Sequence, residues 1–369
     1  MIYFDNAATT YKKPHRVIRA VEKCIKKYSA NPGRGAHRLS ISASEVVYDA
    51  RESIARFFGM DAPERVVFTY NTTYALNIAI KTIIPPSSHV IISNLEHNSV
   101  LRPIHKLKDT AGVQYSVFNA MADDLYAEIV SHIRPDTQAI VCTAASNVTG
   151  LQLPLEILSD IKKRFNLRLI IDGAQAAGHK KINLSPLSFD AFCFPAHKAM
   201  LGIMGTGACI FGDEYTPKSL IEGGSGTSSR DLYMPSVLPE AIEAGTLGLP
   251  GIVALAEGVR FLESYGIDNV ERRLDSLTDR LLDRISSVCG VRIIGAEGGV
   301  VSFLLRDMGS ERTAAVLDEK GICVRAGLHC SPLAHTTLGT IETGAVRASL
   351  SIFNTEREID RFYGALKEI

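Results

Sequence analysis

The chain has 369 residues, 46% of them hydrophobic, with 40 basic and 40 acidic residues and a formal net charge of zero. That balance leaves no overall field for nucleic acid or an anionic membrane surface, so a small ligand is expected. No segment approaches the roughly 20 apolar residues that span a bilayer. The seven cysteines are scattered without paired spacing, so the reading is a cytoplasmic protein with neither a disulfide framework nor a bound metal.

In chain order, the start MIYFDNAATT carries an acidic residue at position 5 and no long apolar run. From about residue 45, helical stretches alternate with near-continuously apolar runs at 66–70, 90–93, 139–142, 169–172, 191–194 and 208–211. Such runs read as strands covered on both faces, and their alternation with helices predicts an α/β fold around a central, mostly parallel sheet. A Gly-rich stretch at 222–229 breaks the rhythm, and helical periodicity then runs from about 251 to Cys289. Strands at 291–294, 300–305, 322–325 and 346–352, with helices near 310–320 and 355–367, predict a smaller C-terminal α+β domain. The expected large domain is 15–249 and the small domain 250–369, with residues 1–14 packing near the latter.

Ligands of open α/β sheets bind outside the carboxyl ends of the strands, which directs attention to the polar residues that follow each run. After the first come Asn71-Thr72-Thr73 at a predicted helix N-terminus, where free N–H groups and the helix dipole favour phosphate, although a plain N-cap reads equally well. After the fourth comes Asp172-Gly173-Ala174-Gln175. A carboxylate buried there needs a cation or strong donors, such as a protonated pyridine nitrogen; the alternative is a helix N-cap. After the fifth comes His197-Lys198. A lysine stripped of water in an apolar pocket loses basicity and becomes a nucleophile towards an aldehyde, though phosphate-binding and solvated lysines are as common. Six cysteines, Cys24, Cys142, Cys193, Cys209, Cys289 and Cys323, have apolar neighbours and read as buried. Cys330 differs: it follows a strand in a loop with Gly327 before it, His329 beside it and Pro332 after it.

These motifs, together with Glu96-His97-Asn98, Ser146-Asn147-Val148-Thr149-Gly150, Glu243-Ala244-Gly245-Thr246 and Arg325-Ala326-Gly327-Leu328-His329-Cys330, occur in an order that resembles the class V aminotransferase-like, fold-type I pyridoxal-phosphate enzymes. Within them the sequence is most similar to the cysteine desulfurase and selenocysteine lyase group with a short Cys loop. The resemblance implies pyridoxal 5'-phosphate as cofactor. It implies Lys198 as the residue that carries it as a Schiff base, Asp172 opposite the pyridine nitrogen, Gln175 at the phenolic oxygen and His97 stacked on the ring. Thr72, Thr73 and His197 would hold the phosphate and Asn147 would stand near the ring substituents. Thr246 would reach the phosphate of another subunit, which implies a homodimer with shared active sites. Arg347 would grip the substrate carboxylate, with Arg325 near it and His37 at the mouth of the site, although judged alone Arg347 could be a surface ion pair and His37 a surface histidine.

The implied reaction is cysteine desulfuration: Cys330 takes sulfur from L-cysteine as a persulfide, alanine leaves, and an acceptor protein is a candidate partner. Selenocysteine lysis, cysteine-sulfinate desulfination and a β-lyase reaction that dispenses with Cys330 stay open as alternatives. Two positions depart from the family pattern. Pro195 stands where a phosphate-binding serine is usual, which predicts weaker cofactor affinity. Asn71 replaces a glycine, with a left-handed conformation as the expected accommodation.

Overall fold

The computed structural model describes residues 1–369 apart from Arg34 and Pro217. After the short strand β1 (Ile2–Tyr3) come helices α1 (His15–Lys27) and α2 (Arg38–Phe57). Alternating units follow: β2 (Val66–Thr69), α3 (Thr72–Ile83), β3 (His89–Ser93), α4 (Asn98–Ala111) and β4 (Gln114–Phe118). Then come α5 (Leu125–Ser131), β5 (Thr137–Thr143), α6 (Leu155–Phe165), β6 (Arg168–Asp172), β7 (Ala191–Pro195) and β8 (Gly207–Phe211). Strands β2 to β8 form one sheet in the order β2-β8-β7-β6-β5-β3-β4. Only β8 runs antiparallel to its neighbours.

The alternation of side chains across each strand divides the apolar core in two. Ile91, Leu169, Ile171, Phe192 and Phe194 belong to one buried cluster, whereas Val90, Ile92, Ile170 and Cys193 belong to the other, beneath α3 and α4. The apolar runs therefore read correctly as doubly covered strands. Strand β4 has no such run: it lies at the sheet edge with a half-exposed face, so QYSVF mixes polar and apolar residues and carries no continuous signal.

The expected helical stretch to Cys289 is two helices, α7 (Leu249–Tyr265) and α8 (Ile267–Ser286), broken at Gly266, whose φ of 86° lies in the left-handed region. Helix α7 packs on α1 and α2, while α8 packs on β9 (Val291–Glu297) and β10 (Val300–Leu305). After α9 (Ser310–Glu319), the single strand expected at 322–325 is two. β11 (Ile322–Cys323) pairs in parallel with β1, and β12 (Arg325–Gly327) joins the small sheet. The N-terminal strand claims the first half and leaves Val324 as the joint. Helix α10 (Pro332–Thr337), β13 (Ala345–Ser349) and α11 (Glu356–Lys367) complete the chain, the small sheet having the order β12-β13-β10-β9. Cys289 is exposed and Cys323 half-buried rather than core, since Cys289 falls in the turn between α8 and β9. Among the described residues no helix is long and apolar enough to cross a membrane.

Candidate active site

Five strands of the large sheet deliver residues to one cavity. The end of β2 leads into Thr72 and Thr73, the first residues of α3, and β3 leads to His97. Asn147 follows β5, Asp172 ends β6 with Gln175 three residues on, and His197 and Lys198 follow β7. The turn into α3 is capped by Asn71, whose Oδ1 accepts from the Tyr74 N–H at 2.9 Å. Its φ of −174° is extended, so the left-handed conformation expected of Asn71 is not used; the cap satisfies the turn instead. Close approach is made possible on the other side, where a Cβ on Gly207 of β8 would lie 2.9 Å from the Asn71 Cα.

Several buried polar atoms in this cavity have no partner in the protein: Thr72 Oγ1, Gln175 Oε1 and His197 Nδ1. Orphaned groups of this kind cost stability unless a ligand satisfies them. Burial depresses the Lys198 amine to about 8, against the attraction of Asp172, and raises the Asp172 carboxyl above its usual range. Both groups therefore gain from a ligand that offers a carbonyl carbon to one and a cationic nitrogen to the other. Burial and then Lys198 bring His97 down to about 4, so its ring is neutral. Its Nδ1 accepts from the Ser99 N–H at 3.0 Å as the cap of α4, which leaves the proton on Nε2. Behind it Glu96 is wholly buried and pushed up to about 8 by desolvation, and it ties β3 to β5 by accepting from the Thr143 N–H at 2.9 Å.

The N-terminal segment laces this site together, which sequence reading missed. The His197 carbonyl accepts from Thr10 N–H at 3.1 Å, Thr9 Oγ1 at 3.1 Å and Lys13 Nζ at 2.9 Å, and so fixes the turn that aims Lys198. Gln175 Nε2 donates to the Ala7 carbonyl at 3.0 Å. Asp5 pairs with Arg347 at 2.9 Å. No local pattern in the first fourteen residues announces these contacts, because each partner lies more than 160 residues away.

Arg347 on β13 is 2% exposed, donates through Nη1 to the Asn147 carbonyl at 2.9 Å, and keeps Nε without a partner. Arg325 stands opposite it in the antiparallel register of β12. Two arginines opposite one another, with the Asp5 carboxylate paired to Arg347, favour a further anion.

Cys330 does not enter the inner cavity; it is exposed at the end of an adjoining groove that shares Thr73, His97 and Ser99 with it. His329 and Cys330 have φ of 51° and 58°, two successive non-glycine residues in the left-handed region, a conformation that persists only where the surroundings enforce it. Three hydrogen bonds of 2.7 Å do so. Asn98 N–H donates to the Cys330 carbonyl, Asn147 Nδ2 donates to the His329 carbonyl, and Ser331 Oγ donates to Asn147 Oδ1. Both ends of the Asn147 amide are thus engaged with the thiol loop rather than free to face a ligand. The signal for Ser331 was present as a Ser-Pro pair opening α10, but only a helix start could be read from it.

Two expected residues lie elsewhere. Thr246 lines a separate cavity with Tyr70 and Tyr74, in a loop anchored by the buried Arg51–Glu243 pair at 2.5 Å. His37 is exposed and caps α2, accepting from the Ser40 N–H at 3.3 Å. Pro195 lines the cavity at the end of β7, with no hydroxyl to offer. Among the described residues no cluster of His, Cys, Asp or Glu could hold a metal ion.

Residues 2–362 match the family model described as Aminotransferase class-V. A protein of Methanothermobacter thermautotrophicus named probable cysteine desulfurase is 32% identical over 380 residues, spanning 100% of this chain and 94% of that protein. The apo structure of a cysteine desulfurase from Thermococcus onnurineus agrees with a TM-score of 0.90 at 29% identity, over 100% of this chain and 94% of that one. A C-DES mutant with glycine covalently linked to the PLP cofactor shares the fold at 19% identity and a TM-score of 0.83, over 100% of this chain and 96% of that one. The chain belongs to the class-V aminotransferase family and has the fold-type I architecture.

Proposed function

We propose that this protein is a pyridoxal-phosphate-dependent cysteine desulfurase, which takes sulfur from L-cysteine as a persulfide on Cys330 and releases L-alanine. The observation that carries the reading is the joint placement of Lys198, buried Asp172 and three unpartnered polar atoms in one cavity, with an exposed thiol at its rim. The residues fit the cofactor. Thr72, Thr73, His197 and the α3 N-terminal amides would hold the phosphate, Asp172 the ring nitrogen, Gln175 the phenolic oxygen, His97 the ring face and Lys198 the carbonyl carbon. When bound, the cofactor supplies an electron sink for the substrate α-carbon.

The chain's own groups do the rest. Arg347, held by Asp5 and Asn147, binds the substrate carboxylate, with Arg325 reinforcing the positive field. Lys198, with its depressed basicity, moves a proton at the α-carbon. The Cys330 thiolate attacks the substrate sulfur; the S–S bond forms as the C–S bond breaks, and the electron pair left on the β-carbon takes a proton to become the alanine methyl group. We further propose a homodimer in which Thr246 serves the partner's phosphate site, with His37 near the mouth of the site, as well as division into bodies at 15–249 and 250–369 with residues 1–14 packing near the smaller. Anaerobic incubation with cysteine, measuring alanine and persulfide together, tests the function. Equal amounts of both are expected; alanine without persulfide, or a reaction with selenocysteine alone, would contradict it.

Ser331 is a positioning residue in this reading. Its hydrogen bond to Asn147 is buried and worth about 1 kcal/mol, which corresponds to about a fivefold change in the population of the held loop. Ser331→Ala should therefore speed iodoacetamide alkylation of Cys330 about fivefold and slow persulfide formation, with the cofactor absorbance unchanged. Unaltered alkylation and persulfide rates would remove the role.

A further inference from the structure

The groove that ends at Cys330 has a volume of about 370 Å³ and is walled by two helix faces. Thr73, Asn77 and Lys81 form one stripe along α3, and Asn98, Arg102 and Lys106 form another along α4, each at successive i, i+4 spacing. The two helices pack together, so the stripes run side by side away from the thiol. Lys81, Arg102 and Lys106 are exposed, and among the described residues no Asp or Glu lines the groove. Eight residues of helix rise about 12 Å. An extended peptide covers that length in about four residues.

The charges lie along these two stripes on one side of the nucleophile, not in a ring around it. A small anion can meet one or two of them at once, whereas an extended acidic segment meets all three. We propose that this groove docks an acidic peptide segment bearing a cysteine, the thiol to which Cys330 passes its sulfur. The proposal rests on the desulfurase reading and adds the chemical class of the acceptor. In the transfer, the acceptor thiolate attacks the outer sulfur of the Cys330 persulfide. A new S–S bond forms on the acceptor, the bond between the two persulfide sulfurs breaks, and Cys330 departs as a thiolate that takes up the acceptor's proton. Electrons and protons balance without an added oxidant or reductant.

The test uses the full-length holoenzyme with cysteine as sulfur donor and three acceptors: a synthetic peptide of one cysteine followed by alternating glutamates, the same peptide with lysines in their place, and dithiothreitol. Sulfur transfer to the glutamate peptide should exceed that to the lysine peptide by about tenfold at low salt and lose that advantage at high salt, as expected for exposed charges. The double variant Lys81→Glu/Lys106→Glu should lose about tenfold with the glutamate peptide and keep its alanine formation with dithiothreitol. Equal transfer to both peptides, or an undiminished double variant, overturns the proposal. A change of oligomeric mass in that variant overturns it too, by assigning the groove to a second copy of the chain. Absence of alanine from the unaltered enzyme with dithiothreitol overturns the desulfurase reading itself, and the acceptor site with it.

Discussion

Lys198→Ala is expected to release alanine from cysteine at least on the order of 10³-fold more slowly than the unaltered protein, the largest loss of any single substitution. The amine is buried at the end of β7 and depressed to about 8, so at neutral pH an appreciable part of it is an unprotonated nucleophile and base. Lys198→Arg should be as inactive, because arginine keeps the charge yet cannot lose its proton to react. Both variants should still take up the cofactor without a covalent bond, since Thr72, Thr73, His197 and Asp172 are untouched. Steady-state alanine assays with absorbance spectra check this; retained activity in the arginine variant would reduce Lys198 to a binding charge.

The second large effect is at the thiol. Cys330→Ser should form no persulfide and lose alanine release by on the order of 10²-fold or more. Its cofactor spectrum should match that of the unaltered protein, because Cys330 lies in the adjoining groove and not among the residues lining the cavity with Lys198. Radiolabelled cysteine followed by denaturing chromatography reads the persulfide directly. Alanine release at the normal rate would show that the C–S bond breaks without the thiol and would favour the β-lyase alternative.

The legible part of this protein follows from a physical coincidence. Parallel strands buried on both faces must be continuous apolar runs, and the residue that ends each run must be at the sheet's carboxyl edge. Thr72, Asp172 and Lys198 could therefore be placed together from sequence, His97 was added by the family resemblance, and all four line one cavity. Contacts that depend on distant segments left no such mark. Asp5 meets Arg347 across 342 residues, and nothing beside either residue specifies the other. Asn147 was expected at the ring, but only the folded loop reveals that both ends of its amide hold His329 and Ser331. The edge strand β4 and the split at Val324 escaped notice for a related reason: each is defined by which neighbour it pairs with, not by its own composition.

The central claim is that the Lys198 amine holds the aldehyde carbon of pyridoxal phosphate. Purified protein supplied with the cofactor, reduced with borohydride and digested, should carry the phosphopyridoxyl mass on the peptide containing Lys198 and on no other lysine peptide. An unmodified Lys198 peptide from protein that has been saturated with the cofactor would contradict the account.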